Sequence, residues 1–342
     1  MAIDVTIRGA GIFGLSIAWV LLCRGAQVRI IDPNGPGAGA SGGIVGALAP
    51  HVPENWNAKK AFQLRSLLSA ETFWTGIAQA GGIDPGYARS GRLQPLADDN
   101  AVALAHARAR SAATLWQGQA DWCVERSDDQ PISAPSGWLV RDTLSARIHP
   151  ARACRALAAA IETQGGIVAR EGLNEGAVVW ATGAAGLAAL SQDLGREVGR
   201  GIKGQAALLA YSAPHMPQLF VDGLHVVPHA DGTIAVGSTT ERDFDTPDRC
   251  DAQTEGIVAR IRSSLPWLED APVVARWAGL RPRARSRAPM LGPWPGRPGH
   301  FVANGGFKIG FGMAPEVARV MADLILDGHD TIPEGFAVAD NL

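Results

Sequence analysis

The sequence predicts a fold of α/β plus α+β character, in which a domain of parallel βαβ units is interleaved with a domain built on an antiparallel sheet. Three observations predict it. A strand, glycine turn, helix and strand follow one another within residues 5–31. Short, largely apolar runs, the mark of buried parallel strands, occur at 28–31 and again at 177–181. Beyond residue 204 the pattern turns to strands joined by a hairpin signal, before a last amphipathic helix.

The elements follow in order. Val5 and Ile7 alternate into a glycine turn, as a strand entering a tight loop does. Residues 15–24 are apolar on nearly all sides, which suits a helix wedged under a sheet, and Gly25 is a natural stop. The glycine-dense stretch 35–46 reads as a loop. Helical spacing marks 58–80, 100–116 and the alanine-rich 151–164, the last ended by Gly165 and Gly166. Segments 224–228 and 233–237 flank Asp231-Gly232, a strong hairpin signal, and 272–280 is a further strand. In 315–327, Val317, Val320, Met321, Leu324 and Ile325 share one helical face. The division expected is a nucleotide domain of 1–80, 145–203 and 278–342, interrupted by a substrate domain of 81–144 and 204–277.

At 342 residues the chain exceeds one small core. Its 46% hydrophobic content predicts a large interior, not disorder. A net charge of -2 argues against a nucleic-acid partner. Cys23, Cys123, Cys154 and Cys250 stand far apart with no CxxC pair, as reduced thiols of a cytoplasmic protein would. No metal site is expected from the histidines. A basic leader is missing, and the apolar run 12–23 is too short to span a bilayer. The expectation is a soluble protein with no membrane partner, and a homo-oligomer is left open.

The most informative segment is Gly9-Ala10-Gly11-Ile12-Phe13-Gly14, placed between strand and helix, with Asp32 at the end of the second strand. Gly9 permits the tight turn, Gly11 lets backbone approach a pyrophosphate, and Gly14 allows close helix–strand packing. The pyrophosphate then rests on the helix N-terminus, and Asp32 accepts the ribose hydroxyls. Strand, helix, strand and acidic terminus together make the fingerprint specific for a dinucleotide, though not for NAD over FAD.

The rest of the chain resembles the D-amino-acid oxidase family of FAD enzymes and is most similar to its glycine oxidase branch. The resemblance rests on GAGIFGLSIAW at the start, GASGGIVGALAP (39–50), VVWATGAAG (178–186) and VVPHADGTIAVGST (226–239). It continues through WAGLRP (277–282), APMLGP (288–293) and NGGFKIGFG (304–312). It implies a Rossmann-type FAD-binding domain interleaved with an antiparallel-sheet substrate domain.

By the same resemblance, Ala40, Ser41 and Gly42 contact the pyrophosphate and ribityl chain, and Gly46, Ala47 and Leu48 lie along the isoalloxazine. Thr182 and Gly183 flank the cofactor a second time. The loop of Gly305, Gly306, Phe307, Lys308, Ile309 and Gly310 brings a helix N-terminus to the flavin edge that gains negative charge on reduction. For each single glycine a plain turn role is the alternative. Arg281 matches the arginine that holds the substrate carboxylate, a task for which a planar guanidinium is suited. On chemistry alone Arg283, Arg285 and Arg287, at two-residue spacing, are equal candidates.

The sequence departs from the branch in places. Lys308 stands where the glycine oxidases carry a second arginine, and GGFK is more like the sarcosine oxidase branch, where such a lysine binds carboxylate. His225 replaces a tyrosine, and either contacts the substrate or is a surface histidine. No cysteine lies near 282–292, so FAD is expected to be held without a covalent bond. The segment between Gly166 and Gly176 is short for the family, so the adenine pocket is expected to differ. Trp56 or Trp138 would be pocket-lining tryptophans, with core packing as the alternative.

The implied reaction is oxidation of glycine, sarcosine or a D-amino acid to an imine and then a 2-oxo acid, with O2 reduced to H2O2. An amino-acid dehydrogenase using another acceptor, a tRNA-modification oxidase and a non-catalytic flavoprotein subunit are the alternatives.

Overall fold

The computed structural model describes residues 2–342. The chain opens with β1 (Val5–Arg8), α1 (Ile12–Cys23) and β2 (Val28–Ile31), then a single 3-10 turn at Ala40–Gly42 and the short β3 (Ala47–Leu48). There follow α2 (Ala58–Gly81), β4 (Arg92–Pro95), α3 (Asp99–Leu115), β5 (Trp122–Arg126), β6 (Trp138–Asp142) and β7 (Ala146–Arg147). The chain then returns through α4 (Pro150–Thr163), β8 (Ile167–Ala169), β9 (Ala177–Trp180) and α5 (Gly183–Asp193). The long strands β10 (Gly199–Ala210) and β14 (Val273–Ala284) enclose β11 (Gln218–Val221), β12 (Leu224–Pro228), β13 (Thr233–Gly237) and α6 (Ala252–Ser264). Finally come β15 (Met290–Pro293), β16 (His300–Asn304) and α7 (Gly310–Asp327).

Two large sheets organise these elements. One has six strands in the order β15-β16-β9-β1-β2-β8, and all its pairings described are parallel except β15 with β16. The other has eight, β14-β10-β13-β12-β11-β4-β6-β5, antiparallel except where β11 meets β4. Mixed α/β and antiparallel architecture is therefore present as expected.

Local chemistry explains the boundaries. Asn57 caps α2 by accepting the Lys60 N–H, and Gly82 ends that helix in the left-handed region at φ +65°. Asp98 caps α3 in the same way through Ala101. The hairpin of β12 and β13 turns at Asp231 and Gly232 with the expected ends. Helix α1 begins at Ile12, three residues before the expected start, directly behind the glycine turn. It packs against α7 and α4 as well as the sheet, which explains its apolar circumference.

Two expectations are corrected. Helix α7 begins at Gly310, five residues before Pro315, which lies inside it. Packing of Gly306 and Gly310 against Phe13 fixes this start despite the disfavour for helix before proline. The strand expected at 272–280 runs on to Ala284, so Arg281 stands in a strand; Pro282 is tolerated because β14 is the sheet edge. The expected breaks at 203/204 and 277/278 consequently fall inside β10 and β14, which are paired without interruption from Gly199 and Ala284 onward past both points.

Among the described residues, no helix is long and apolar enough to cross a membrane.

Candidate active site

The glycine turn after β1 is shaped by contact as much as by conformation. Gly9 has φ +107°, and a Cβ there would stand 2.4 Å from the Ala181 carbonyl oxygen. Glycine alone satisfies both demands. A Cβ on Gly14 would stand 2.0 Å from the Gly9 oxygen, so α1 approaches the turn only because none is present. At Gly11 the nearest atom is Ser41 Oγ at 3.2 Å, and the start of α1 opens onto a cavity. Gly11 supplies no side-chain cap; the Ser41 hydroxyl accepts the Ile12 N–H at 2.9 Å. Partly unsatisfied N–H groups at a helix start favour an anion.

Asp32 follows β2. Its Oδ2 accepts the Ala10 N–H at 2.8 Å and its Oδ1 the Asn34 N–H at 2.9 Å. A carboxylate offers about four acceptor positions. Asp32 therefore braces the glycine turn and retains capacity for two hydroxyl donors.

The cavity has a volume of about 690 Å³, within the range of roughly 300–1,000 Å³ common for ligand sites. Its wall includes Gly9, Gly11, Ile12, Phe13, Asp32, Ala40, Ser41, Gly46, Ala47, Thr182 and Gly183. It also includes Arg281, Gly306, Phe307, Lys308 and Gly310, so most of the residues singled out from sequence are brought together. Gly14, Gly42, Leu48, Gly305 and Ile309 are not among its lining residues. Gly42 is a packing glycine, since its Cβ would stand 2.2 Å from the Gly37 oxygen, and Leu48 is buried. The lining tryptophans are Trp180 and Trp277, not Trp56 or Trp138. Trp138 instead packs under the Arg126 guanidinium at 5.1 Å.

The four clustered arginines separate cleanly. Arg285 and Arg287 are exposed, and Arg283 lies over the Phe307 ring at 5.7 Å. Arg281 alone of the four lines the cavity, with 9% of its surface exposed. Its Nη1 donates to the Thr239 carbonyl at 3.2 Å, and its Cζ lies 5.6 Å from the Trp277 ring centre. Burial lowers its pKa to about 10, against the opposing pull of Glu241, and it remains a cation at neutral pH.

Lys308 lines the cavity and is exposed, yet the surrounding protein and then the Arg281 charge bring its pKa down to about 8. Among the described residues neither Arg281 nor Lys308 has a carboxylate within ion-pair distance. Two cations thus face the same space unneutralised.

His225 is neither a surface residue nor a lining one. It stands on β12 opposite Gly237, its ring 4.9 Å from that of Phe220 and its Nδ1 without a partner. Burial, then the charges of Arg92 and Lys308, push its pKa to about 3. The imidazole is neutral throughout the physiological range.

The residues present fit FAD. Two helix starts whose own cap residues offer no side-chain acceptor, α1 behind Gly11 and α7 behind Ile309, border one cavity. Asp32 stands at the first with acceptor capacity to spare. A model of the family described as FAD dependent oxidoreductase matches residues 4–324. The glycine oxidase of Pseudomonas putida is 30% identical, over 98% of this chain and 99% of that protein. The glycine oxidase of Pseudomonas aeruginosa is 28% identical, over the whole of both. Among solved structures, glycine oxidase from Geobacillus kaustophilus superposes with a TM-score of 0.83 at 22% identity, covering 98% of each chain. Iminodiacetate oxidase from a Chelativorans species gives 0.84 at 20% identity with the same coverage. With the family model spanning nearly the whole chain and the cavity built as that cofactor requires, this protein belongs to the FAD-dependent oxidoreductases.

Proposed function

We propose that the protein oxidises a small amine bearing a carboxylate, namely glycine, sarcosine or a D-amino acid, with oxygen as the electron acceptor. The observation that carries this reading is Arg281, a buried cation facing the cavity with no counter-ion of its own. A carboxylate there supplies the missing partner and gains charge-assisted hydrogen bonds. The activity named for the two Pseudomonas relatives supports the same substrate class.

FAD, when bound, supplies the two-electron acceptor. The protein supplies position. Arg281 holds the carboxylate, Lys308 adds a second positive charge beside it, and the Trp277 ring walls the space next to the guanidinium. His225, neutral beside Lys308, adds no competing charge. The amine gives up a hydride from Cα and a proton from nitrogen. Water then converts the imine to the 2-oxo acid and the released amine or ammonia, and O2 leaves as H2O2.

Peroxide release from a panel of small amino acids under air, with flavin bleaching followed under nitrogen, tests the proposal. Bleaching without peroxide would favour a dehydrogenase with another acceptor. No bleaching with any member would favour a tRNA-modification oxidase or a non-catalytic subunit.

A further inference from the structure

Behind Arg281 lies a buried charge network that plays no part in the proposal above. Lys203, in the middle of β10, is 1% exposed. An ammonium so placed persists only with partners. Its Nζ lies 3.0 Å from Asp251 Oδ2 and 3.6 Å from Glu241 Oε2. Asp251 is half exposed and caps α6, so solvent and the helix start also serve its charge. Glu241 is 7% exposed and depends on its neighbours.

Those neighbours are few. Gln205 Nε2 donates to the Glu241 carboxylate at 3.0 and 3.2 Å, and the Thr239 hydroxyl donates to it as well. The carbonyl of the same Thr239 accepts from Arg281. Glu241 therefore attracts two buried cations, Lys203 within ion-pair distance and Arg281 from farther away. Were the ammonium missing, Glu241 would be a buried charge without compensation, a costly state. Arg281, already drawn by Glu241 and joined to it through Thr239, is the cavity cation that would then feel the uncompensated charge.

We propose that Lys203 is a positioning residue, neutralising Glu241 so that the Arg281 guanidinium, held by the Thr239 carbonyl, stays free for an anion. This rests on the reading of Arg281 as the carboxylate-binding group. Lys203 also ties both ends of the segment between Glu241 and Asp251, whose Pro247 and Asp248 line the cavity. Removing the ammonium alone disturbs both the segment and the charge balance. Removing both charges keeps the balance and gives up only the tie.

The test is titration of the FAD-loaded protein with acetate, read from the flavin absorption spectrum. Arg281→Ala and Lys203→Met are each expected to weaken acetate roughly ten- to hundred-fold. The double variant Lys203→Met/Glu241→Gln is expected to recover wild-type affinity. Wild-type affinity in Arg281→Ala overturns the carboxylate reading and this inference together. Wild-type affinity in Lys203→Met, with Arg281→Ala impaired, overturns this inference alone. So does a double variant that stays impaired, since Lys203 would then act through the segment and not through Glu241. If Lys203→Met does not fold, the double variant decides by the same criterion.

Discussion

The guanidinium of Arg281 lies across the backbone of Gly204, so close that a Cβ on Gly204 would stand 1.9 Å from Nη1 and 2.1 Å from Cζ. The atoms in the way belong to the far end of a long side chain, so it is the guanidinium that must move. Gly204→Ala is expected to displace Arg281 and weaken acetate binding on the order of tenfold, the loss of one charge-assisted hydrogen bond. The melting temperature should stay near wild type, because no backbone is pushed. A lowered melting temperature with intact acetate affinity would place the clash elsewhere.

The glycine turn predicts two distinguishable failures. A Cβ on Gly11 meets only Ser41 Oγ, so Gly11→Leu should fold yet obstruct the start of α1 and emerge colourless. Gly9→Ala meets the Ala181 backbone at positive φ, a strain of about 1–3 kcal/mol before the clash is counted. It should lose thermal stability even before FAD is added. Circular dichroism of the apoproteins and FAD titration separate the two. A yellow Gly11→Leu protein with wild-type affinity would refute the first.

Lys308 predicts a pH dependence with a definite sign. It is cationic below its pKa of about 8 and neutral above it. Acetate, ionised throughout this range, should bind with constant affinity below pH 8 and progressively more weakly above. In Lys308→Met the affinity should be weaker and the decline absent up to the titration of Arg281. If Lys308 serves the flavin instead, the variant will shift the reduction potential downward without ligand and leave acetate binding intact.

His225 predicts the absence of an inflection. With its pKa near 3, no histidine step from this residue should mark acetate binding between pH 5 and 7. His225→Gln should leave the pH profile in that interval unchanged. A step near pH 6 that vanishes in this variant would show the imidazole to be protonated in the working range.

What was legible in the sequence was local. The glycine turn, Asp32 and the hairpin at Asp231-Gly232 depend on residues close together in the chain, and each was found where expected. The choice among Arg281, Arg283, Arg285 and Arg287 was not local. The four share one spacing, and only the packing of β14 buries the first and leaves the last two in water. Trp180 and Trp277 lay in segments that carry the resemblance, 178–186 and 277–282, but nothing in their own spacing set them apart as lining residues from Trp56 and Trp138. Lys203 is a charge in mid-strand, and its partner Glu241 is set by the pairing of Lys203 with the chain after β13. The start of α7 was hidden because Pro315 looked like a beginning.

The pairing of β10 with β14, in constant register from Gly199 to Leu208, has a mechanical consequence. Arg281 is registered against Ile202, and the same ladder runs through Trp277 opposite Ala206, both of which border the cavity. The spacing between the anion-binding end and the rest of the wall is therefore metered by strand rungs, with no linker to stretch. Successive rungs point to opposite faces. Inserting a single residue between Trp277 and Arg281 would turn the guanidinium to the other side of the sheet, while a two-residue insertion would keep its side and move it one repeat along. The chemistry of this cavity is in that sense counted in residues, and the count is even.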